Sequence, residues 1–412
     1  MTKRLFRAAL IVALVALLCG CTSTIETEHV FITPHEDISL SSPENTEPTP
    51  EVSNFSELLE VTRGLLVRGL SSGRVNVFEY EGDLNADATA VREELLNRDA
   101  LGSYALSEVS LEITPIVSYM DIQIELYYRR NPEQIDNIIT ISTQRYLRIE
   151  LLSMLSDCRE DAAILTGLAN ITIDEVLEHI SELYYENPLD VAMLPITTIE
   201  VYPPEPKQGG ERLIELHFAY SQTSSVLTTY PDLIKSAARD IAEAASGEND
   251  AEILLSLCTA LSELSEYDAA IGSLSEYSSQ ISAATAYGAL FNGSAIGEGY
   301  AMAYKALCDS LSIPCFVVRG TRGGLPYAWN IVNFDGSYYH IDPALCDELG
   351  MAEGFLKNDL SMSERYTWDG LEYPRCRGPL TYEDVVPPVV EEPEEPEDGA
   401  MENEDETEVL AI

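Results

Sequence analysis

The sequence predicts an α+β protein in two folded parts, and three observations carry that expectation. Between about residues 60 and 235 the order strand, helix, strand, strand, helix occurs twice. From 249 to 268 the apolar residues fall on one helical stripe. From 297 to 343 a helix is followed by a strand and then by two apolar runs separated by Asp335-Gly336. With 412 residues and 45% hydrophobic content the chain has material for more than one core. The expected division is a leader over 1–20, a disordered stalk over 21–58, an α+β module over 59–240, a second α+β domain over 241–380 and an acidic disordered tail over 381–412.

The formal net charge is −46. A chain this acidic repels phosphate backbones, which excludes nucleic acid as a partner, and it repels anionic headgroups too. Membrane contact therefore has to come from something other than a basic patch. Lys3, Arg4 and Arg7 are followed by an apolar run over 8–18, the length of a signal h-region and too short for an ordinary spanning helix. It ends Leu18-Cys19-Gly20-Cys21. A small residue before a cysteine, with a leucine three before it, resembles the bacterial lipobox. That resemblance implies cleavage before Cys21, lipidation of its thiol and amino group, and a place on the extracytoplasmic face of the cell membrane. Cys19 fits less well, because Leu18 is bulky at the cleavage position. Acyl chains anchor by burying methylenes, at roughly 0.8 kcal/mol each. The plainer reading is an ordinary signal peptide with an incidental cysteine.

Six cysteines remain, at 158, 258, 308, 315, 346 and 376. Export permits disulfides, but no short repeated spacing marks a framework. There is no CxxC and no His/Cys cluster of zinc type, so neither a metal nor a cofactor is expected. Residues 22–55 are rich in Thr, Ser, Glu and Pro and bury too little to fold. His29 and His35 fall there as solvated residues.

The module carries a weak internal repeat. Its first copy offers a strand over 75–80, a helix over 86–97, and alternating strands around 109–113 and 122–126. The second offers 163–165, a helix over 173–185, then 198–201 and 213–216. Leu111-Glu112-Ile113 matches Ile199-Glu200-Val201, and Ile124-Glu125-Leu126 matches Ile214-Glu215-Leu216. Helical stretches over 133–156 and 230–246 complete a βαββα unit twice. His179 and His217 lie inside these elements as packing or surface residues.

In the C-terminal part, Asp335-Gly336 is a strong signal for a two-residue type I′ turn. It sets Phe334 opposite Ser337 and Trp329 opposite Asp342. Tyr327, Trp329, Ile331, His340 and Asp342 then share one face, with a carboxylate lying diagonally across from position 327.

The segments Gly297-Glu298-Gly299-Tyr300-Ala301, Tyr327-Ala328-Trp329-Asn330 and Asp342-Pro343 resemble the transglutaminase-like family, which shares the papain-type cysteine-enzyme fold. The resemblance covers roughly residues 250–350. It implies a nucleophilic cysteine at position 297, a histidine at 327 and an aspartate at 342. Here position 297 is glycine and position 327 is tyrosine; only Asp342 is retained. Glycine has no nucleophile. Tyrosine, with an ordinary pKa near 10, is a poor base at neutral pH. A thiolate needs a base or a helix N-terminus to form. The expected function is therefore that of a binding or scaffold module at the cell envelope, its cleft offering Tyr327, Trp329 and Tyr300 to a peptide, an envelope protein or a wall glycan. Trp329 and Tyr300 read more readily as core. The alternative is an active amidase, peptidase or transamidase with a relocated nucleophile. Cys308, roughly 16 Å along the helix from Gly297, and Cys315 read as buried thiols or a disulfide. The stretch over 391–408 is almost all Glu, Pro, Asp and Asn, a solvating tail or one that holds cations or a partner.

Overall fold

The computed structural model describes residues 49–386, apart from 169–170, 206–209 and 277. The expected leader, Cys21, residues 22–48 and the tail from 387 lie outside the described residues. Among the described residues no helix is long and apolar enough to cross a membrane.

The first copy begins with the helix Phe55–Val67, capped by the Asn54 side chain. The expected stalk ran to residue 58 and is corrected here: Leu58 and Leu66 belong to the core, and burying them outweighs the polar composition just upstream. Strand β1 (Ser72–Val77), the helix Leu84–Asn97, β2 (Leu106–Ile116) and β3 (Tyr119–Tyr128) follow. They form a three-stranded sheet in the order β1-β3-β2, antiparallel throughout. Val109, Leu111, Ile122, Ile124 and Leu126 turn inward in alternation, onto Val91 and Leu95 of the helix. The strand expected over 75–80 ends at Val77, so Phe78 lies beyond the ladder.

The second copy repeats the path. Strand β5 (Asp161–Thr166), the helix Ile173–Glu186, β6 (Ile196–Tyr202) and β7 (Arg212–Ala219) give the order β5-β7-β6. In both copies the first strand pairs antiparallel with the third. The pairing corrects one detail. Leu111 faces Ile124, whereas Ile199 faces Leu216, so Leu216 stands where Ile124 does, and not Ile214. A slip of two residues keeps every side chain on its face, which is why the match survived it. The helix expected over 133–156 is instead a short turn Pro132–Asp136, strand β4 (Ile139–Ile141) beside β5, and the helix Gln144–Ser156. The β-branched run Ile139-Thr140-Ile141 favours a strand, and Thr143 caps the helix that follows.

The helices Tyr230–Ala244 and Asp250–Leu264 lead into the C-terminal part, the latter capped by Asn249. A parallel pair, β8 (Glu266–Tyr267) and β9 (Ser294–Ala295), precedes the helix Gly297–Ser310. Every residue of that helix from Gly297 to Cys308 is buried. It packs on a sheet of β10 (Cys315–Arg322), β11 (Leu325–Phe334), β12 (Ser337–Ile341) and β13 (Tyr366–Trp368), in the order β12-β11-β10-β13. Phe334 faces Ser337, and Asp335 and Gly336 both take positive φ, 49° and 73°, as a type I′ turn demands. Asp342 caps the helix Pro343–Leu349. The expected tail is corrected over 381–385, where Thr381 and Asp384 form a capping box for the turn Tyr382–Val385. One interior runs from Ile141 to Cys376, through the second copy and the C-terminal sheet together, while the first copy has its own.

Candidate functional site

The three positions singled out by sequence come together at the N-terminus of the helix Gly297–Ser310. A β-carbon built on Gly297 would stand 2.7 Å from both Cε2 and Cζ of Tyr327 and 3.0 Å from the Ala328 carbonyl oxygen. The tyrosine ring therefore occupies the space a side chain at 297 would need. Its hydroxyl donates to Asp342 Oδ1 at 3.2 Å and accepts from Arg322 Nη1 at 3.2 Å. The guanidinium also lies over the ring, 5.2 Å from its centre, and pairs with Glu348 at 2.8 Å.

Asp342 is wholly buried, and its oxygens are engaged by more than Tyr327. Tyr366 donates to Oδ2 at 2.5 Å, and the Leu345 N–H donates to Oδ1 at 3.0 Å as the helix cap. Burial raises the Asp342 carboxyl above its ordinary value; the donors and Arg322 act against that rise. Burial, with the Asp342 charge adding to it, holds the Tyr327 hydroxyl well above 10. Tyr327 is thus a fixed proton donor to a carboxylate, not a base. Arg322 and Tyr366 were not singled out from the sequence. Both arrive through pairing of β10 with β13, where Arg322 faces Tyr366 across the ladder, and a three-residue strand leaves no local pattern.

Two of the three candidate binding residues take the core place that the sequence favoured for them. Trp329 is fully buried among Tyr366, Trp368 and His340, its ring 5.0 Å from Tyr366 and 5.8 Å from Trp368. Its Nε1–H donates to His340 Nδ1 at 2.9 Å. Tyr300 is also fully buried, and its hydroxyl donates to the Ser265 carbonyl oxygen at 2.6 Å and lies 2.9 Å from Asp347 Oδ2. Both fill core positions because alternate residues of a buried strand, and every face of a buried helix, turn inward. Tyr327 alone of the three borders open space, a groove of about 530 Å³ shared with Tyr267, Arg322, Glu348, Glu364 and Arg365.

His340, Asp359 and Cys376 form a second cluster, with one ligand-capable atom from each within 4.8 Å of the others. Indole N–H is a donor only, so Trp329 makes His340 Nδ1 an acceptor and puts the ring proton on Nε2, which faces Asp359 Oδ1 at 3.1 Å. A metal at Nε2 needs the lone pair there. The donor set as held is a hydrogen-bonded chain and does not fit an ion. Burial lowers the His340 pKa to about 4 and raises the Cys376 thiol to about 12.

The remaining cysteines are no better placed for nucleophilic work. All six described are buried. Burial lifts Cys158 to about 11, chiefly by desolvation. A side-chain hydrogen bond with Cys346, which favours the protonated thiol, and burial lift Cys258; burial and Cys315 lift Cys308.

No protein-family model matches the chain, and no curated protein matches it. Among solved structures the chain is similar to a TGase, at 9% identity over 62% of this chain and 68% of that one, with a TM-score of 0.25. It is similar also to a candidate cysteine protease from Cytophaga hutchinsonii, at 15% identity over 40% of this chain and 70% of that one, with a TM-score of 0.23. A third is a candidate protease from Parabacteroides distasonis, at 8% identity over 68% of this chain and 42% of that one, with a TM-score of 0.22. Overlaps of this size equate no residue of this chain with one of theirs, and the reading of the site rests on its own geometry.

Proposed function

We propose that the chain is a lipid-anchored cell-surface protein whose C-terminal part is a transglutaminase-like domain that binds rather than catalyses. One observation carries the reading: the Tyr327 ring crowds a β-carbon at 297, 2.7 Å from it, and its hydroxyl takes up the carboxylate that would otherwise orient a histidine. A nucleophile at 297, the room for one beside the tyrosine, and a base at 327 are missing at once. The ligand belongs in the groove above Tyr327, where Arg322 and Arg365 stand with Glu348 and Glu364. Paired charges of both signs suit a partner that carries both, such as a peptide of an envelope protein or wall. Cys21 is the site of lipidation in this reading, and the extracytoplasmic membrane face is its place.

A relocated cysteine nucleophile finds no support in the burial of the six thiols. The test is a short pulse of iodoacetamide on the native protein at neutral pH, with each cysteine mapped by mass spectrometry against the denatured chain. All six are expected to label more slowly folded than unfolded. One that labels faster folded has a depressed pKa and overturns the non-catalytic reading. The anchor is tested by the mass of the N-terminal peptide and by release of a Cys21→Ser variant from membranes.

A further inference from the structure

We propose that the tip of the β2–β3 hairpin, with Phe78 beside it, is a docking surface for the lipid bilayer. Val117 is fully exposed, at 107% of its reference area, with Phe78 at 53%, Ile116 at 42% and Met120 at 40%. They lie at one end of the first sheet, because Val77 pairs with Met120 and Ile116 with Tyr119. The Phe78 and Tyr119 rings are 5.2 Å apart. A two-residue hairpin tip is ordinarily polar, built from Gly, Asn, Asp or Ser. This tip reads Ile116-Val117-Ser118-Tyr119-Met120.

Size, chemistry and position select the occupant. The four side chains expose on the order of 400 Å², about half of the ~800 Å² per partner in a standard protein interface. A convex tip of that size inserts more readily than it mates face to face. Aliphatic residues flanked by aromatic rings match the layering of a bilayer surface, apolar below and amphipathic at headgroup level. The chain also joins the folded body at this same end. The Asn76 N–H donates to the Pro50 carbonyl oxygen and the Val52 N–H to that of Asn76, two residues from Phe78. Cys21 lies close enough in sequence that the intervening residues span at most ~100 Å. A chain anchored upstream of Pro50 would thus enter the folded body at the end that carries the apolar tip.

Coulomb attraction plays no part. Glu51 forms a β-bridge with Asn76, while Glu79 and Glu81 follow Phe78 in the chain, and the Arg74 charge is taken by Asp121 at 2.7 Å. Burial of apolar surface is the driving term, weak alone and effective beside an anchor that raises the local concentration of lipid.

The experiment uses the chain from Thr22 onward, which omits the leader and Cys21 and keeps every described residue, whose buried apolar cores begin at Val52. It is mixed with phosphatidylcholine vesicles and sedimented. The expected result is measurable binding that falls about ten-fold, 1.4 kcal/mol, in Val117→Asp. In a Val117→Trp variant the new emission shifts to the blue when vesicles are added. Val117 touches nothing in the core, so both variants should keep the parent's urea midpoint. Equal binding by parent and Val117→Asp, or no binding and no shift at millimolar lipid, overturns the proposal. Self-association that Val117→Asp abolishes overturns it too, by making a second copy the occupant. Lipidation of Cys21 is measured on the full chain, so either result can fail without the other.

Discussion

Gly297 and Tyr327 should be energetically coupled. In Gly297→Ala the new β-carbon would meet two ring carbons at 2.7 Å, about an ångström inside ordinary carbon contact, and the Ala328 oxygen at 3.0 Å. The residue is 297 at the first position of a helix, where alanine returns up to about 1 kcal/mol of propensity. Overpacking in a tight core costs about 1–3 kcal/mol. The net expectation is a loss of about 1–2 kcal/mol. In a Tyr327→His background the two crowding atoms are gone and only the carbonyl contact remains, so the same substitution should cost under about 1 kcal/mol. The coupling is then about 1–2 kcal/mol, within the range seen for touching residues. Urea unfolding followed by far-ultraviolet circular dichroism measures all four corners of the cycle. If Gly297→Ala costs the same in both backgrounds, to within about 0.5 kcal/mol, the ring does not fill that space and the argument for a plugged site fails.

Further expectations can be checked alongside. The double variant Gly297→Cys, Tyr327→His places a thiol at a helix N-terminus with a histidine within reach of Asp342; it should label with iodoacetamide faster than an unfolded cysteine. His340 has a folded pKa of about 4 against an ordinary 6.5, so between those values the unfolded chain takes up a proton that the folded chain does not. Its contribution is present above pH 6.5 and is lost as the pH falls to 4, about 3 kcal/mol at 1.36 kcal/mol per unit. A comparison of urea midpoints for the parent and His340→Asn from pH 7 to 4 should show a shallower fall in the variant. Asp342→Asn sets an amide donor against the Tyr366 hydroxyl and should destabilise by about 1–3 kcal/mol, read in the same assay.

What could be read from the sequence depended on how local the cause was. The Asp335-Gly336 turn determines its own geometry, and from it the pairing of Phe334 with Ser337 and the shared face of Tyr327, Trp329 and His340 followed without knowledge of the rest. The two copies were legible because alternation is a property of each strand alone. Strand β4 was not: a run of three β-branched residues is too short to stand out between helical neighbours, and pairing with β5 completes it as a strand. Trp329 and Tyr300 stayed candidates for the cleft although core was the favoured reading, because facing inward does not say whether the inside is open. Arg322 and Tyr366, which complete the surroundings of Asp342, are brought together by β13, whose pairing depends on the whole sheet being in place.

The interior shared from Ile141 to Cys376 has a consequence for how this protein can be taken apart. Proteolysis or gene fusion near residue 245 would leave Ile234 and Ala238 on one fragment and Leu254, Leu257 and Tyr304 on the other, each with a raw apolar wall. Neither piece would be a soluble module to graft elsewhere. The first copy is no cleaner a cut: its core takes in Ala163 and Leu213 of the second copy, and Arg130 pairs with Glu215 across the boundary, so removing it would bare those residues as well.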